Sequence, residues 1–205
     1  KISTFLQEAK IFNIDIILPD INRSGGLFGT QYDNDKRSII FALGAIKNVT
    51  TSFGSVVATE RQKGGAFKSI IDFAQRIEPK HLNRRLLENI IKVGCFDKLH
   101  PNRNSLIHSI PLILSYNLSY HQEQRSQQFS LISVETSSPN LLKEVKDFTE
   151  AELAILEFEV LGLFLHNHPL SNCARALVDC GIKNSNFVKH ELSEGNFQYK
   201  LAGVI

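Results

Sequence analysis

LGAIKNV at 43–49 and LNRRLLENIIKVGCFDKL at 82–99 bound the stretch whose reading decides the fold. In the second, Leu86, Leu87, Ile90 and Ile91 recur at helical spacing and form one apolar face, with Arg84, Arg85, Glu88 and Lys92 mostly off it. Asn83 is a good N-cap for a helix over 84–93, and Gly94 supplies the residue that ends it. A turn at 78–82 and a helix near 68–77 precede it. Upstream, a turn at Asn48–Ser52 leads into a helix over 53–63, closed by Gly64-Gly65. The sequence thus predicts two consecutive helix–turn–helix units.

Charge follows the same division. Residues 60–103 carry ten Lys/Arg (Arg61, Lys63, Lys68, Arg76, Lys80, Arg84, Arg85, Lys92, Lys98, Arg103) against five acids (Glu60, Asp72, Glu78, Glu88, Asp97), a balance of +5. Residues 135–160 carry seven acids against two lysines, a balance of −5, so the net +2 of the chain hides a dipolar arrangement. A polyanion is the partner suited to the basic part. A tight turn between helices presents unpaired amides at a helix N-terminus, and these, with nearby Lys and Arg, bind phosphate without reading bases. The alternative is a helical bundle with a solvated basic face.

Working outward, residues 2–12 form an amphipathic helix on Ile2, Phe5, Leu6, Ala9 and Phe12, stopped by Asn13. IDIILP (14–19) reads as a strand, DINRSGG (20–26) as turn chemistry, and LFGTQY (27–32) with RSIIFAL (37–43) as a hairpin around Asp33-Asn34-Asp35. Asp15, Asp20, Asp33 and Asp35 are read as solvated loop acids rather than a metal cluster. Downstream, 103–120 is helical across Pro111, 121–140 is a polar linker, and the chain is helical again from Leu141. Its strongest periodicity lies at 148–165, with Thr149 and Glu152 as a capping box and Glu150, Glu152, Glu157 and Glu159 on an acidic outer face. Ala174–Cys180 reads as a short helix, and QYKLAGVI (198–205) as an opening strand.

Inside the linker, Gln128-Phe129-Ser130-Leu131-Ile132 has the look of a linear docking peptide: an apolar pair for a pocket and a Gln amide for its wall. The alternative is that Leu131 and Ile132 tack the linker onto the chain's own core. His166 and His168 lack a third metal ligand at a convincing spacing. The odd set Cys95, Cys173 and Cys180 fits reduced, buried thiols, and no run of eighteen apolar residues spans a membrane. No Met starts the chain, and the expectation is a piece of a longer protein.

Taken together, ILPDINRS (17–24), LGAIKNV, GAFKSIIDFAQRI (65–77), LNRRLLENIIKVGCFDKL, NRNSLIHSI (102–110) and LEFEVLGLFLHNHPL (156–170) resemble, in order and spacing, the alpha (polymerase) subunit of bacterial DNA polymerase III. The resemblance implies a mainly α fold with a small α+β N-terminal part. Residues 1–40 would end the fingers, 41–120 would form a tandem helix-hairpin-helix unit, and 121–140 would be a linker with a clamp-binding peptide. A helical connector over 141–198 would then lead to the start of an OB-fold domain at 199–205. It implies duplex DNA as a partner for Lys47, Asn48, Thr50, Thr51, Ser52, Lys80, Arg84 and Arg85. It also implies the sliding clamp (beta subunit) for Gln128, Ser130, Leu131 and Ile132, and the other holoenzyme subunits. No catalytic residue, metal or cofactor is expected in this piece, with Mg2+ serving the full-length cytoplasmic polymerase. One departure stands out: the family has Gly-Val-Gly where this chain has Asn48-Val49-Thr50, and the expectation is a weakened first hairpin.

Overall fold

The computed structural model describes residues 2–33, 36–126, 142–164 and 179–181. It divides into a unit over Lys1–Leu163 and a second over Phe164–Ile205. Gln128–Ile132, His166, His168, Cys173 and the stretch expected to open an OB domain all lie outside the described residues.

The first unit starts with α1 (Ile2–Ile11), which Asn13 ends in a left-handed conformation at φ 54°. Three strands follow: β1 (Asp15–Ile17), β2 (Gly29–Asp33) and β3 (Lys36–Ile40). β2 and β3 pair antiparallel with Asp33 opposite Lys36, as the hairpin reading requires. β1 runs parallel to β3, giving the order β1-β3-β2. The apolar stripe of α1 does not make a core among the described residues. Ala9 is buried, but Phe5 and Phe12 are 68% and 73% exposed.

Residues 20–26 do more than turn. Arg61 donates to the carbonyls of Ile21 and Ser24 at 2.6 Å each. Asn22 and Phe67 exchange hydrogen bonds, amide to backbone and back, at 2.9 and 2.7 Å. Asp20, expected to be a solvated loop acid, is buried. It accepts from the Asn22 amide at 2.7 Å and pairs with Lys98 at 2.7 Å. Gly26 lets the loop pass under the next helix, since a Cβ there would lie 2.2 Å from the Thr51 carbonyl oxygen.

The helical body is a 3-10 turn (Leu43–Ala45), α2 (Thr51–Gly64), α3 (Ile70–Arg76), a second 3-10 turn (Pro79–His81), α4 (Arg84–Lys92) and α5 (Arg103–Ser126). Ser69 caps α3 by accepting from the Asp72 amide at 3.1 Å. Leu86, Leu87, Ile90 and Ile91 of α4 are buried in one core with Phe73, Ile77, Leu106 and Ile110. Phe67, Phe73 and Phe96 stack edge to face through it, with centroids 5.3 and 5.0 Å apart. Asn117 donates to the Ala74 and Ile77 carbonyls, satisfying acceptors that the end of α3 leaves open. α5 stays helical across Pro111 and runs to Ser126, beyond the expected start of the linker at 121.

Residues 142–149 have no regular secondary structure where a helix was expected. Side chains at the start of α5 claim their backbone. Asn102 donates to the Val145 carbonyl at 2.6 Å, Asn104 to that of Lys146 at 2.7 Å and Ser105 to that of Lys143, while Lys143 N–H donates to Ser109 Oγ at 2.8 Å. α6 (Glu150–Leu161) then begins with the Thr149–Glu152 capping box and ends at Gly162, φ 70°. Cys95 is buried, and burial pushes its thiol well up; Cys180 is exposed, against the expectation of a buried thiol.

Candidate nucleic-acid interface

The second hairpin follows the sequence closely. The chain leaves α3 at Ile77, turns through Pro79–His81, and re-enters a helix at Arg84. Asn83 is extended and its side chain accepts from the Leu86 amide at 2.9 Å. The Arg84 and Arg85 amides therefore stand in the first turn, where a helix has no carbonyl to offer them. The positive end of the α4 dipole lies there too.

The first hairpin reaches a similar shape by another route. Its leading helix is only the 3-10 turn Leu43–Ala45. The chain reverses at Asn48, whose φ of 61° is the left-handed value that Asn tolerates. Thr50 needs no glycine conformation: its φ is −86° and ψ 154°. Its hydroxyl accepts from the Phe53 amide at 3.2 Å and sits 2.8 Å from Ser52 Oγ. Helix α2 starts at Thr51, so Thr51 and Ser52 are helical residues rather than turn residues.

The positive charge of 60–103 is largely consumed within the fold. Arg61 is bound to backbone carbonyls, and burial lowers its pKa. Arg76 donates to the Glu60 and Gly65 carbonyls, pairs with Asp72 and lies 4.3 Å from the Phe67 ring centroid. Arg103 is 4% exposed and pairs with Asp97 at 2.6 Å and with Glu157 at 3.0 Å. Glu157, expected on the acidic outer face, is itself buried. Lys63 pairs with Glu60, and Lys80 with Glu78 at 2.9 Å; Lys80 is exposed. Among the described Lys and Arg of 60–103, those without an ion pair are Arg61, Lys68, Arg84 and Arg85, and of these Arg61 is already bound to backbone carbonyls.

Lys47, Asn48, Arg84 and Arg85 line one groove of about 540 Å³ with Glu88, Asn89, Lys92, Glu159 and Val160. The two hairpins thus face one concavity. Thr50, Thr51, Ser52 and Lys80 are not among its lining residues. Asn89 was not anticipated. It is buried and donates to the Lys47 carbonyl at 2.5 Å, fixing the first turn to α4. A polar residue between Leu86 and Ile90 on an apolar helix face was the available signal. Burial tends to lower the Lys92 pKa, but hydrogen bonds to Glu88 and Glu159 outweigh it and hold the ammonium above its ordinary value. The described residues contain no group of three or more His, Cys, Asp and Glu placed to hold a metal, and no described helix is long and apolar enough to cross a membrane.

Comparison with known proteins agrees with this architecture. A model described as a helix-hairpin-helix motif matches residues 13–106. The DNA polymerase III subunit alpha of Rickettsia bellii is 46% identical over all of this chain, which covers 19% of that relative. That of Rickettsia prowazekii is 44% identical over all of this chain and 20% of the relative. The Caulobacter vibrioides protein of the same name is 30% identical over 84% of this chain and 15% of its own length. The chain spans about a fifth of the length of the Rickettsia relatives it matches.

Proposed function

We propose, for a chain that belongs to the family of DNA polymerase III alpha subunits, that this segment grips duplex DNA through sequence-independent phosphate contacts. The observation that carries the reading is the pair Arg84 and Arg85. Both are exposed and unpaired at the start of a capped helix, and both share a groove with Lys47 and Asn48. Guanidinium groups and amides there suit phosphate oxygens, which carry no sequence, as sliding along DNA demands. Thr50, Thr51, Ser52 and Lys80 stand at the edge of this proposal, since none of them lines the groove and Thr50, Ser52 and Lys80 already have side-chain partners.

The whole protein is proposed to be a DNA-directed DNA polymerase, a nucleotidyltransferase of replication. The Mg2+ of its chemistry is proposed to be held by carboxylates of the full-length polymerase outside this segment. Gln128, Ser130, Leu131 and Ile132 are proposed to dock on the sliding clamp. Ile132 fills less of an aromatic-sized pocket than the family's Phe. A peptide of micromolar strength contributes about −8 kcal/mol at standard state, and tethering it to a DNA-bound module tightens the joint hold.

Fluorescence anisotropy with a labelled duplex tests the DNA reading. With three cations engaged, the salt slope is about −2.7, so affinity falls about fortyfold between 50 and 200 mM salt. Arg84→Ala with Arg85→Ala reduces the slope by about 2, equally on unrelated sequences. Affinity indifferent to salt, or a sequence-dependent loss, would replace this reading with a helical protein-interaction scaffold. Leu131→Ala with Ile132→Ala removes clamp pull-down and leaves duplex binding in place; persistence of the pull-down would reject the docking peptide.

A further inference from the structure

The groove contains two anions of its own, Glu88 and Glu159, and Glu159 comes from α6. Glu159 Oε2 lies 3.1 Å from Lys92 Nζ, and the carbonyl of Val160, at the end of α6, accepts from the Lys47 amide at 3.4 Å. Lys92 is 12% exposed and is also held at 3.0 Å by Glu88, whereas Glu159 is 57% exposed. The closing turn of α6 therefore brings a carboxylate and the negative end of a helix dipole to the first hairpin. The N-terminus of α4, with its opposite polarity, stands at the second. α6 is held in place by the buried Arg103–Glu157 pair at 3.0 Å, and Gly162 ends it there.

We propose that Glu159 is a built-in competitor for phosphate, so that the last turn of α6 sets how tightly the groove holds a duplex. This rests on the phosphate-binding reading above. A phosphate seated at Lys47 and Asn48 meets the Glu159 carboxylate as a like charge, and it finds the Lys47 amide already donated. On the second hairpin's side the acid lining the groove is Glu88, which pairs with Lys92 and makes no ion pair with Arg84 or Arg85. Duplex binding is then asymmetric, strong at Arg84 and Arg85 and attenuated at Lys47. A change that neutralises Glu159 removes the like charge from the first hairpin and opens Lys47 and Asn48 to phosphate, with Lys92 still held by Glu88.

The test compares the full chain with Glu159→Gln, Glu159→Ala, Glu8→Gln and the Arg84→Ala/Arg85→Ala pair, by anisotropy on one duplex at about 100 mM salt and across a salt series. Glu8 is an exposed acid on α1, and its variant reports the effect of net charge alone. Glu159→Gln and Glu159→Ala are expected to tighten binding about three- to tenfold and to steepen the salt slope by about 1, with Glu8→Gln near wild type. Thermal melts of both Glu159 variants confirm that they fold. If the arginine pair weakens binding while neither Glu159 variant tightens it, or if Glu8→Gln tightens it as much, the competitor role is overturned and the phosphate reading survives. If the arginine pair has no effect, both fall together.

Discussion

The two hairpins solve one geometric problem with different residues. Each second helix opens on an extended residue whose side-chain oxygen accepts from an amide three positions on, Thr50 from Phe53 and Asn83 from Leu86. Behind the caps the sequences diverge. The first two helical residues are Thr51 and Ser52 in one case, Arg84 and Arg85 in the other. The first turn is partly covered by α6 through Val160, while the second exposes its two guanidinium groups without acidic partners. Backbone shape and phosphate grip are thus separable properties: capping supplies the shape, and the charge beyond the cap supplies the grip.

The largest effect expected from disturbing this asymmetry comes from Arg103, which ties α6 into place beside the first hairpin. Arg103→Met leaves Glu157 buried without its cation, and such a break costs roughly 3–5 kcal/mol. Asp97, the other carboxylate, is 38% exposed, so Asp97→Asn costs on the order of 1 kcal/mol or less. Urea unfolding of the two variants checks the ordering. Equal losses, or an Arg103→Met loss under about 1 kcal/mol, would mean that the buried pair does not hold α6.

Cap removal comes next. Thr50→Ala and Asn83→Ala each lose one acceptor for a first-turn amide, at about 1 kcal/mol apiece. Matched losses in urea midpoint would show that the hairpins are equally well built despite their different chemistry. A negligible loss at Thr50 alone would mean that the first hairpin stands on its packing rather than its cap.

Local signals were legible wherever the residue and its partner lie within a few positions. Asn83 and Gly94 around α4, the Thr149–Glu152 box and the β2–β3 register are of that kind. Distant partners were not legible. Arg61 and Arg76 looked like surface charge, but carbonyls of Ile21, Ser24, Glu60 and Gly65 capture them. Residues 142–149 have the composition of a helix, yet Asn102, Asn104, Ser105 and Ser109 take up backbone groups that a helix would need. The stripe on α1 announced a helix correctly and said nothing of what, if anything, covers Phe5 and Phe12. For the groove, Arg84 and Arg85 could be nominated from charge and capping. The approach of Glu159 could not, because it depends on a buried pair between residues 103 and 157.

The smallest effect bears on the missing glycines. Position 48 sits at φ 61°, so the first glycine of the family pattern answers a real conformational demand, and Asn meets it. Position 50 is extended, so its glycine answers none, and Thr replaces it with a cap. Asn48→Gly should therefore change stability by less than about 1 kcal/mol and leave duplex affinity within about twofold. Asn48→Val, with a β-branched side chain in the left-handed region, should cost about 1–2 kcal/mol. The expectation that losing these glycines weakens the first hairpin then has a narrower meaning: the turn keeps its shape, and what separates it from the second is charge. A tenfold gain in affinity from Asn48→Gly would break that account, because it would make backbone access at the turn, rather than the carboxylate across the groove, the limit on phosphate binding.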